Sequence, residues 1–312
     1  MPTIDHRLPL VFLMGATATG KTQRACDLAV EFPLDLVSVD STLVYRGMDI
    51  GTAKPDARVL ARHPHRLIDI REPEQAYSAA DFRADALREI ADIHARGRIP
   101  LLVGGTGLYF RALERGLSEM PRADPALRER LAEEVRVYGK LHMHRKLAMC
   151  DARTAARLDA NDVQRVLRAL EVFELSGVPI SEQQGGVRGG LPWRVLKLGL
   201  VAADRSNLRL RIAERFDQML AQGLENELRS LRARPGWSAD LPSMRAVGYR
   251  QGWDWLDGKV SATDFRMHAL HATSQLAKRQ MTWLRSEHDA WLFDCDAAAS
   301  PSRIHAALAA FL

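Results

Sequence analysis

The chain has 312 residues, of which 46% are hydrophobic and 27% charged, a balance that excludes a disordered chain, and no apolar run is long enough to span a membrane. Lysine and arginine number 44 against 39 acidic residues, so the formal charge of +5 permits a polyanionic partner without requiring one. Three widely separated cysteines predict no disulfide framework. The apolar run Leu8 to Met14 is interrupted by Pro9 and does not resemble a signal peptide, so we expect a cytoplasmic protein.

A phosphate-binding motif follows that first apolar run. The stretch "GATATGKT", Gly15 to Thr22, matches G-x-x-x-x-G-K-[ST] in full and precedes the helix-like stretch "QRACDLAVEF". Such a loop binds phosphates through backbone N–H groups and a helix N-terminus, with Lys21 as a point charge and Thr22 positioned for Mg²⁺. The motif therefore predicts a bound diphosphate group without naming a reaction. The alternative, an accidental Gly/Thr-rich turn, is disfavoured by the strand-to-helix context.

The next segments predict a parallel sheet. The run "LDLVSVDS" ends at Asp40 and Ser41, and "HRLIDI" has strand character. The helix "SAADFRADALREIADIHARG" begins with a capping box, Ser78 with Asp81, and stops at Gly97. A buried strand, a glycine-rich turn and a helix follow in "RIPLLVGGTGLYFRAL". Alternating strands and helices with short connections predict an α/β fold whose parallel sheet is covered by helices on both faces.

The middle of the chain predicts an inserted all-helical domain. From about Pro121 to Gly177 the sequence has helical periodicity and little strand signal, and the loose segment "QQGGVRGGLP" follows. Strand character returns in "RVLKLGLVA", then a long helix is predicted from about Asn207 to Arg232. A further helix, "DFRMHALHATSQLAKRQMTWLRSE", precedes the strand "AWLFDC" and a terminal helix. We assign residues 1–122 and 190–312 to one core domain and 123–189 to the insertion.

Candidate chemistry lies at the carboxyl ends of the predicted strands, where ligands bind in open α/β sheets. The phosphate loop, Asp40 with its following hydroxyls, and "GGTGLY" all occupy such positions. From spacing alone, Asp40 is a base, an indirect magnesium ligand or the cap of a turn. The strand "IPLLV" ends in Gly104 and Gly105 and not in the acidic residue that usually organises a hydrolytic water. The absence of this acidic residue argues against an ATP hydrolase but does not exclude a kinase.

Basic residues recur on predicted helices of the second half. Lys278, Arg279 and Arg285 are interleaved with Trp283, a mixture of charge and stacking surface that suits nucleic acid. Other basic pairs lie at helical spacing, Arg165 with Arg168 and Arg211 with Arg215. Each pair alone favours a solvated helix face with ion pairs, but together they favour a large polyanion as partner.

The sequence resembles the bacterial tRNA dimethylallyltransferases. The resemblance rests on "GATATGKT", "VSVDSTLVYRGMDIGTAKP", "HRLIDI", "YSAADF", "PLLVGGTGLYFRAL", "RALEV", "AVGYRQ" and "AKRQMTWLR", in this order and over nearly the whole chain. Ala16 and Thr19 replace the family's commoner Pro and Ser, and "STLVY" is one of several variants after Asp40. Neither departure removes a lysine, hydroxyl or carboxylate that the chemistry needs.

The resemblance implies a P-loop NTPase-like core whose loop holds the diphosphate of dimethylallyl diphosphate and not the tail of ATP. The prenyl group would pass to N6 of the adenine just 3′ of a tRNA anticodon. Asp40 would orient the amine and accept its proton, while Lys21, Arg215 and Mg²⁺ on Thr22 would stabilise the departing diphosphate. The implied diphosphate-binding residues are Gly15, Ala16, Thr17, Ala18, Thr19, Gly20, Lys21 and Thr22.

The resemblance also implies tRNA contacts, with the helical insertion gripping the anticodon stem and loop. We expect a monomer with no membrane association. The implied tRNA-binding residues are Asp40, Ser41, Thr42, Leu43, Thr106, Arg128, Gln164, Arg165, Val166, Leu167, Arg168, Arg245, Ala246, Val247, Gly248, Tyr249, Arg250, Lys278, Arg279, Gln280, Met281, Thr282, Trp283, Leu284 and Arg285.

Three alternative functions stay open at this point. A P-loop small-molecule kinase would consume ATP and need no RNA surface. An adenylate prenyltransferase would act on a free nucleotide, which the insertion and the "KRQMTWLR" cluster disfavour. A non-catalytic RNA-binding protein would have no need of the intact Lys21, Thr22 and Asp40.

Overall fold

The computed structural model describes residues 7–118, 120–121, 123–183 and 190–312. These residues form two compact units: one runs to Glu114 and resumes at Leu191, and the other spans Arg115–Gly190. The sequence analysis placed the two boundaries at 122/123 and 189/190, and residues 122 and 189 lie outside the described ranges. Most of the loose segment "QQGGVRGGLP", residues 184–189, lies outside them as well.

The first unit is built on a six-stranded sheet whose strand pairs are all parallel, which confirms the predicted α/β class. Along the sheet the order is β3-β2-β4-β1-β5-β6. Strands β1 and β4 are buried almost throughout, as expected for a parallel sheet covered on both faces. The strands are β1 Pro9–Gly15, β2 Leu34–Val39, β3 His65–Arg66, β4 Ile99–Gly104, β5 Arg194–Val201 and β6 Trp291–Asp294.

Helices surround this sheet and form the whole of the second unit's regular structure in the described residues. Those of the first unit are α1 Lys21–Glu31, α2 Ala57–Arg62, α3 Ala79–Ala95, α4 Gly107–Arg115, α10 Arg205–Ala221, α11 Leu224–Arg232, α12 Tyr249–Leu256, α13 Ala262–Arg285 and α14 Ser300–Phe311. Those of the second unit are α5 Pro125–Tyr138, α6 Lys140–Cys150, α7 Ala152–Arg157, α8 Val163–Ser176 and α9 Ile180–Gln183.

Alternate residues of β1 enter two different cores, because successive side chains of a strand point to opposite faces. Phe12 and Met14 pack in one core, together with Phe82 of α3. Val11 and Leu13 pack in the other. The second unit has a core of its own, built from Leu131, Met143, Leu147, Val166, Leu170 and their neighbours.

Two predicted elements differ from the structure. The long helix expected from Asn207 to Arg232 is two helices, α10 and α11, because Gly223 adopts a left-handed conformation with φ of 99°. The strand expected over "HRLIDI" contains only His65–Arg66, because Leu67 and Asp69 have φ of 64° and 56°. The capping box of α3 and its end before Gly97 are as predicted.

The sheet order brings three loops together. Strands β2, β4 and β1 are adjacent and parallel, so the segments that follow Val39, Gly104 and Gly15 leave the sheet at the same edge. This is the edge where α/β proteins bind ligands. Among the described residues, no helix combines the length and the apolar character needed to cross a bilayer.

Candidate functional site

The phosphate loop, Gly15 to Thr22, connects β1 to α1. Ala18 and Gly20 both have left-handed backbone, with φ of 60° and 77°, a conformation that helps a loop turn its amides toward an anion. Gly15 allows β5 to approach closely, since a Cβ there would lie 2.7 Å from the Leu200 carbonyl oxygen. The Thr19 hydroxyl donates to the Ala16 carbonyl at 2.8 Å and closes the turn.

Lys21 is the cation of this loop. Its Nζ donates to the Ala16 carbonyl at 2.5 Å. Burial lowers the pKa of Lys21 to about 8, although Asp40 acts in the opposite direction, and the Arg215 charge lowers it further. The side chain is therefore held where its charge is poorly solvated, as suits a group that binds an anionic ligand.

A cavity of about 350 Å³ opens beside the loop. Lys21, Thr22, Asp40 and Arg215 all line it, so the four candidate catalytic residues meet in one place. Arg215 reaches the cavity from α10 and donates to the Thr17 hydroxyl at 3.4 Å. Burial lowers the pKa of the Arg215 guanidinium, with the Asp40 charge opposing this effect. Two cations and one carboxylate thus share a confined space.

Asp40 follows β2 directly, and its neighbours fix its carboxylate. Oδ1 accepts from the Thr42 backbone N–H at 2.8 Å and from the Thr42 hydroxyl at 2.7 Å. The Ser41 N–H donates to the Thr106 hydroxyl at 3.1 Å, which ties this turn to the start of α4. Within the described chain, Oδ2 has no hydrogen-bond partner. One carboxylate oxygen is therefore used for orientation and the other is free.

Gln280 of α13 has a role that the sequence analysis did not foresee. Its Oε1 accepts the Thr17 backbone N–H at 2.8 Å, and its Nε2 donates to the Gly105 carbonyl at 3.1 Å. A Cβ at Gly105 would lie 2.4 Å from that Nε2, so a side chain there would displace the Gln280 amide from this position. The side chain predicted to contact tRNA has a partner in the phosphate loop, 263 residues away in sequence.

Glu227 of α11 holds another part of the cavity wall together, and no sequence motif indicated it. Its carboxylate accepts three backbone N–H groups, from Asp49 at 2.8 Å, Ile50 at 2.7 Å and Gly51 at 3.0 Å. It also accepts the Tyr249 hydroxyl at 2.6 Å. Gly51 and Gly248 line the cavity, so Glu227 connects two segments of its wall.

The predicted tRNA-binding segment 245–250 divides between surface and interior. Arg245 and Arg250 are exposed, whereas Ala246, Val247 and Gly248 line the cavity. Tyr249 is fully buried, and burial beside the Glu227 carboxylate raises the pKa of its hydroxyl well above the usual value. Its side chain belongs to the core and presents no surface to an RNA.

The α13 segment 278–285 divides in the same way. Lys278, Arg279, Thr282 and Arg285 are exposed. Met281 and Leu284 are buried and pack in the core, so their side chains are not available to RNA. Trp283 is half-buried and stacks on Phe110 with ring centroids 5.9 Å apart. The remaining candidates of the first unit, Leu43 and Thr106, are half-buried, and Leu43 lines the cavity.

In the second unit, two of the predicted RNA contacts meet at one buried carboxylate. Glu171 is 1% exposed and accepts from Arg128 Nε at 2.7 Å and from Arg168 Nη1 at 2.6 Å. Although burial acts to raise the pKa of Glu171, the bonds from these arginines outweigh it and lower the pKa. No motif in the sequence indicated this role of Glu171.

The remaining candidates of the second unit lie on α8, the same helix as Arg168. Gln164 and Arg165 are exposed, and Arg165 pairs with Asp162 at 2.5 Å. Leu167 is half-buried against the core of this unit. Val166 is 1% exposed within that core, so its side chain cannot contact RNA.

One group of possible metal ligands occurs in the described residues, Asp294, Cys295 and Asp296. Arg211 contacts two members of this group. One guanidinium nitrogen pairs with the Asp296 carboxylate, and Nη2 lies 3.2 Å from the Cys295 sulfur. The cluster is thereby explained as an ion pair.

The sheet order, the phosphate loop after β1 and the shared cavity define an α/β enzyme with a P-loop-like core. A family model described as IPP transferase matches residues 43–287, and the chain belongs to this family. It is 57% identical to a tRNA dimethylallyltransferase of Alkalilimnicola ehrlichii over 91% of this chain and 90% of that one. It is 54% identical to the tRNA dimethylallyltransferase of Thiobacillus denitrificans over 97% of both chains.

A solved structure agrees with this family membership. The full-length tRNA isopentenylpyrophosphate transferase of Bacillus halodurans is 37% identical, with a TM-score of 0.71 over 97% of this chain and 96% of that one. The likeness therefore extends over both compact units.

Proposed function

We propose that this chain transfers a dimethylallyl group from dimethylallyl diphosphate to N6 of the adenine on the 3′ side of the anticodon in tRNA, releasing diphosphate. The observation that carries the proposal is the single cavity shared by the phosphate loop, Asp40 and Arg215. The names of relatives more than half identical to this chain support this choice of substrates.

Most of the catalytic effect would act on the leaving group. An exocyclic adenine amine is a weak nucleophile because its lone pair is delocalised into the ring. As this lone pair bonds to the allylic C1, the C1–O bond breaks and its electron pair departs with the diphosphate. The loop N–H groups, the Lys21 ammonium and the Arg215 guanidinium would stabilise the negative charge that builds there.

The residues beside the loop fit Mg²⁺. The Thr22 hydroxyl and the Asp40 carboxylate line one cavity, and Mg²⁺ typically binds through one or two protein oxygens together with substrate phosphates and waters. The Thr22 hydroxyl has no hydrogen-bond partner among the described residues and is free to be a ligand. Mg²⁺ held by Thr22 and the diphosphate would supply further charge stabilisation to the leaving group.

Asp40 would act on the amine. Because Thr42 engages Oδ1, the free Oδ2 would accept a hydrogen bond from N6 and then its proton as the new C–N bond forms. Adenine stacked in an anticodon loop is out of reach of a cavity, so the base would be flipped out of its stack to reach Asp40.

Exposed basic residues would bind the rest of the RNA. Lys278, Arg279 and Arg285 on α13 have no ion-pair partner in the described part of the chain, which supports their role as phosphate contacts. Arg128 and Arg168, held by Glu171, would contribute from the helical unit. We also propose that the enzyme is a monomer and that it is located in the cytoplasm.

Incubation of the enzyme with an unmodified tRNA transcript and labelled dimethylallyl diphosphate tests the proposal. We expect label on one adenosine, with one diphosphate released per transfer and no nucleotide split. In parallel reactions, ATP replaces the prenyl donor or AMP replaces the tRNA. Coupled ATP consumption would favour the kinase, and prenylation of AMP in preference to tRNA would favour the adenylate prenyltransferase.

A further inference from the structure

A second groove, of about 220 Å³, lies between α10 and α13. Arg205 and Arg209 line it from α10, and Lys278 and Arg285 line it from α13. All four are exposed, and no carboxylate is found among the described residues that line the groove. The described lining of the groove therefore carries four positive charges and no negative charge, whereas the whole chain has a net charge of only +5.

Two other arginines of the same helices are paired with carboxylates. Arg211 of α10 pairs with Asp296, and Arg266 of α13 pairs with Asp217 at 2.7 Å. By contrast, the four cations of the groove make no hydrogen bond or ion pair with any described residue. Their charges are unneutralised by the protein, so an anionic ligand would meet them without displacing an internal partner.

The shape of the groove suits an extended polyanion. Arg205 and Arg209 are four residues apart and share one face of α10, about 6 Å apart along the helix axis. The buried side chains of Leu208, Ile212 and Met281 pack beneath the groove and close it toward the interior. A row of unpaired charges along a groove matches the sugar-phosphate backbone of a nucleic acid, which presents its phosphates in a row.

We propose that this groove binds the sugar-phosphate backbone of the tRNA substrate outside the catalytic cavity, with Arg205 and Arg209 as phosphate contacts. The inference rests on the proposed function and extends the RNA surface from α13 to α10. Ile212 lines both the groove and the catalytic cavity, and Ala16 of the phosphate loop packs in the same small core. RNA bound in the groove would thus lie beside the loop.

The test is the salt dependence of tRNA binding by the Arg205→Gln/Arg209→Gln variant. Each lost phosphate contact should reduce the log-log slope by about 0.7 to 0.9, so the double variant should lose about 1.4 to 1.8. Its KM for tRNA should rise while kcat at saturating tRNA and the KM for dimethylallyl diphosphate stay unchanged. The Arg205→Lys/Arg209→Lys variant keeps both charges and should restore the slope.

Arg58→Gln/Arg62→Gln is the matched control. These arginines are also exposed, four apart on one helix and without a side-chain partner among described residues, but neither lines the groove. Equal slopes for the wild type and the Arg205/Arg209 variant would overturn the proposal, as would equal losses in both double variants. A change in the KM for the prenyl donor alone would assign the groove to the small substrate. Failure of the wild type to prenylate the tRNA would instead refute the proposed function.

Discussion

Gln280 and Thr17 connect α13, a helix of 24 residues, to the phosphate loop. The Thr17 backbone N–H donates to Gln280 Oε1 at 2.8 Å, and the other end of the same amide donates to the Gly105 carbonyl. Lys278 and Arg279, two exposed cations proposed to contact RNA, immediately precede Gln280 in α13. One helix therefore carries part of the RNA surface and also fixes the loop that binds the other substrate.

Replacing Gln280 with leucine should weaken binding of dimethylallyl diphosphate. The change leaves the Thr17 N–H and the Gly105 carbonyl without their partner, at about 1 to 3 kcal/mol for each unsatisfied group. Because the free loop can relieve this cost by leaving its binding conformation, restoring that conformation on binding should raise the dissociation constant of the prenyl donor by roughly tenfold, the equivalent of about 1.4 kcal/mol. Calorimetric titration of dimethylallyl diphosphate measures it.

Gln275→Leu is the control, because Gln275 lies on the same helix but bonds only to His271. If Gln280→Leu matches this control in prenyl donor binding and instead raises the dissociation constant for tRNA with an unchanged salt slope, as expected for a neutral contact that releases no counterion, Gln280 is an RNA contact as the sequence analysis predicted.

Asp40→Asn tests proton acceptance, because the amide keeps the shape of the carboxylate but cannot take the proton from N6. We expect the single-turnover rate to fall by at least ~10², while the affinity for dimethylallyl diphosphate changes little. Thr42→Ala removes one of the two bonds that orient the Asp40 carboxylate and should reduce the rate less. Wild-type single-turnover rates in Asp40→Asn would make the carboxylate structural.

The local parts of this site could be predicted from the sequence, and the distant connections could not. The phosphate loop is a contiguous pattern whose backbone conformation follows from its glycines and its place between a strand and a helix. Asp40 could be found because it follows a strand, and parallel strands end at a common edge. Arg215, by contrast, was assigned only through the family resemblance.

Gln280, Glu227 and Glu171 show why the remainder was out of reach. Each is an ordinary polar residue on an amphipathic helix, and its partners become visible only when that helix is packed. Tyr249 and Met281 lie in matched motifs, yet their side chains are core residues. A motif marks a segment of chain, and packing decides which of its side chains face a ligand.

Lys21 should give the binding of dimethylallyl diphosphate a pH dependence. Its pKa, lowered by burial to about 8, means that the binding cation is lost as the pH rises through 8. We expect the dissociation constant to increase above pH 8, by up to tenfold per pH unit, and to be nearly flat between pH 7 and 8. Lys21→Arg stays protonated and should not show this increase. A flat profile in the wild type would contradict the lowered pKa.

The same pKa predicts the effect of Lys21 on stability. A folded-state pKa below the unfolded value means that the unfolded chain binds more protons between about pH 8 and 10.4, so this group makes stability rise with pH in that window. At pH 7 Lys21 is charged, and burial of this charge lowers the free energy of unfolding. Lys21→Met should therefore unfold at a urea concentration equal to or higher than that of the wild type, while losing affinity for the diphosphate. Clear destabilisation at pH 7 would contradict this.

Glu171→Gln should lower the stability of the protein, because Glu171 is the carboxylate that holds Arg128 and Arg168. The substitution keeps the shape of the side chain but removes the charge that Arg128 and Arg168 share. Because the charge-assisted bonds are lost, we expect the free energy of unfolding to fall by about 1 to 3 kcal/mol at pH 7. The folded-state pKa of Glu171 is lowered, so this difference should be present above the unfolded pKa and disappear as the pH falls through the folded value. Urea unfolding across pH measures both.

Glu174→Gln is the matched control, since Glu174 also accepts from two cations of the second unit, Arg130 and Lys146, but neither cation is a proposed RNA contact. If Glu171 orients Arg128 and Arg168 for phosphate binding, Glu171→Gln should raise the dissociation constant for tRNA by roughly tenfold, since two charge-assisted contacts are weakened. The control should leave it near the wild-type value, and kcat at saturating tRNA should be unchanged in both. Equal tRNA affinities in the two variants, at temperatures where both are folded, would restrict Glu171 to a structural role.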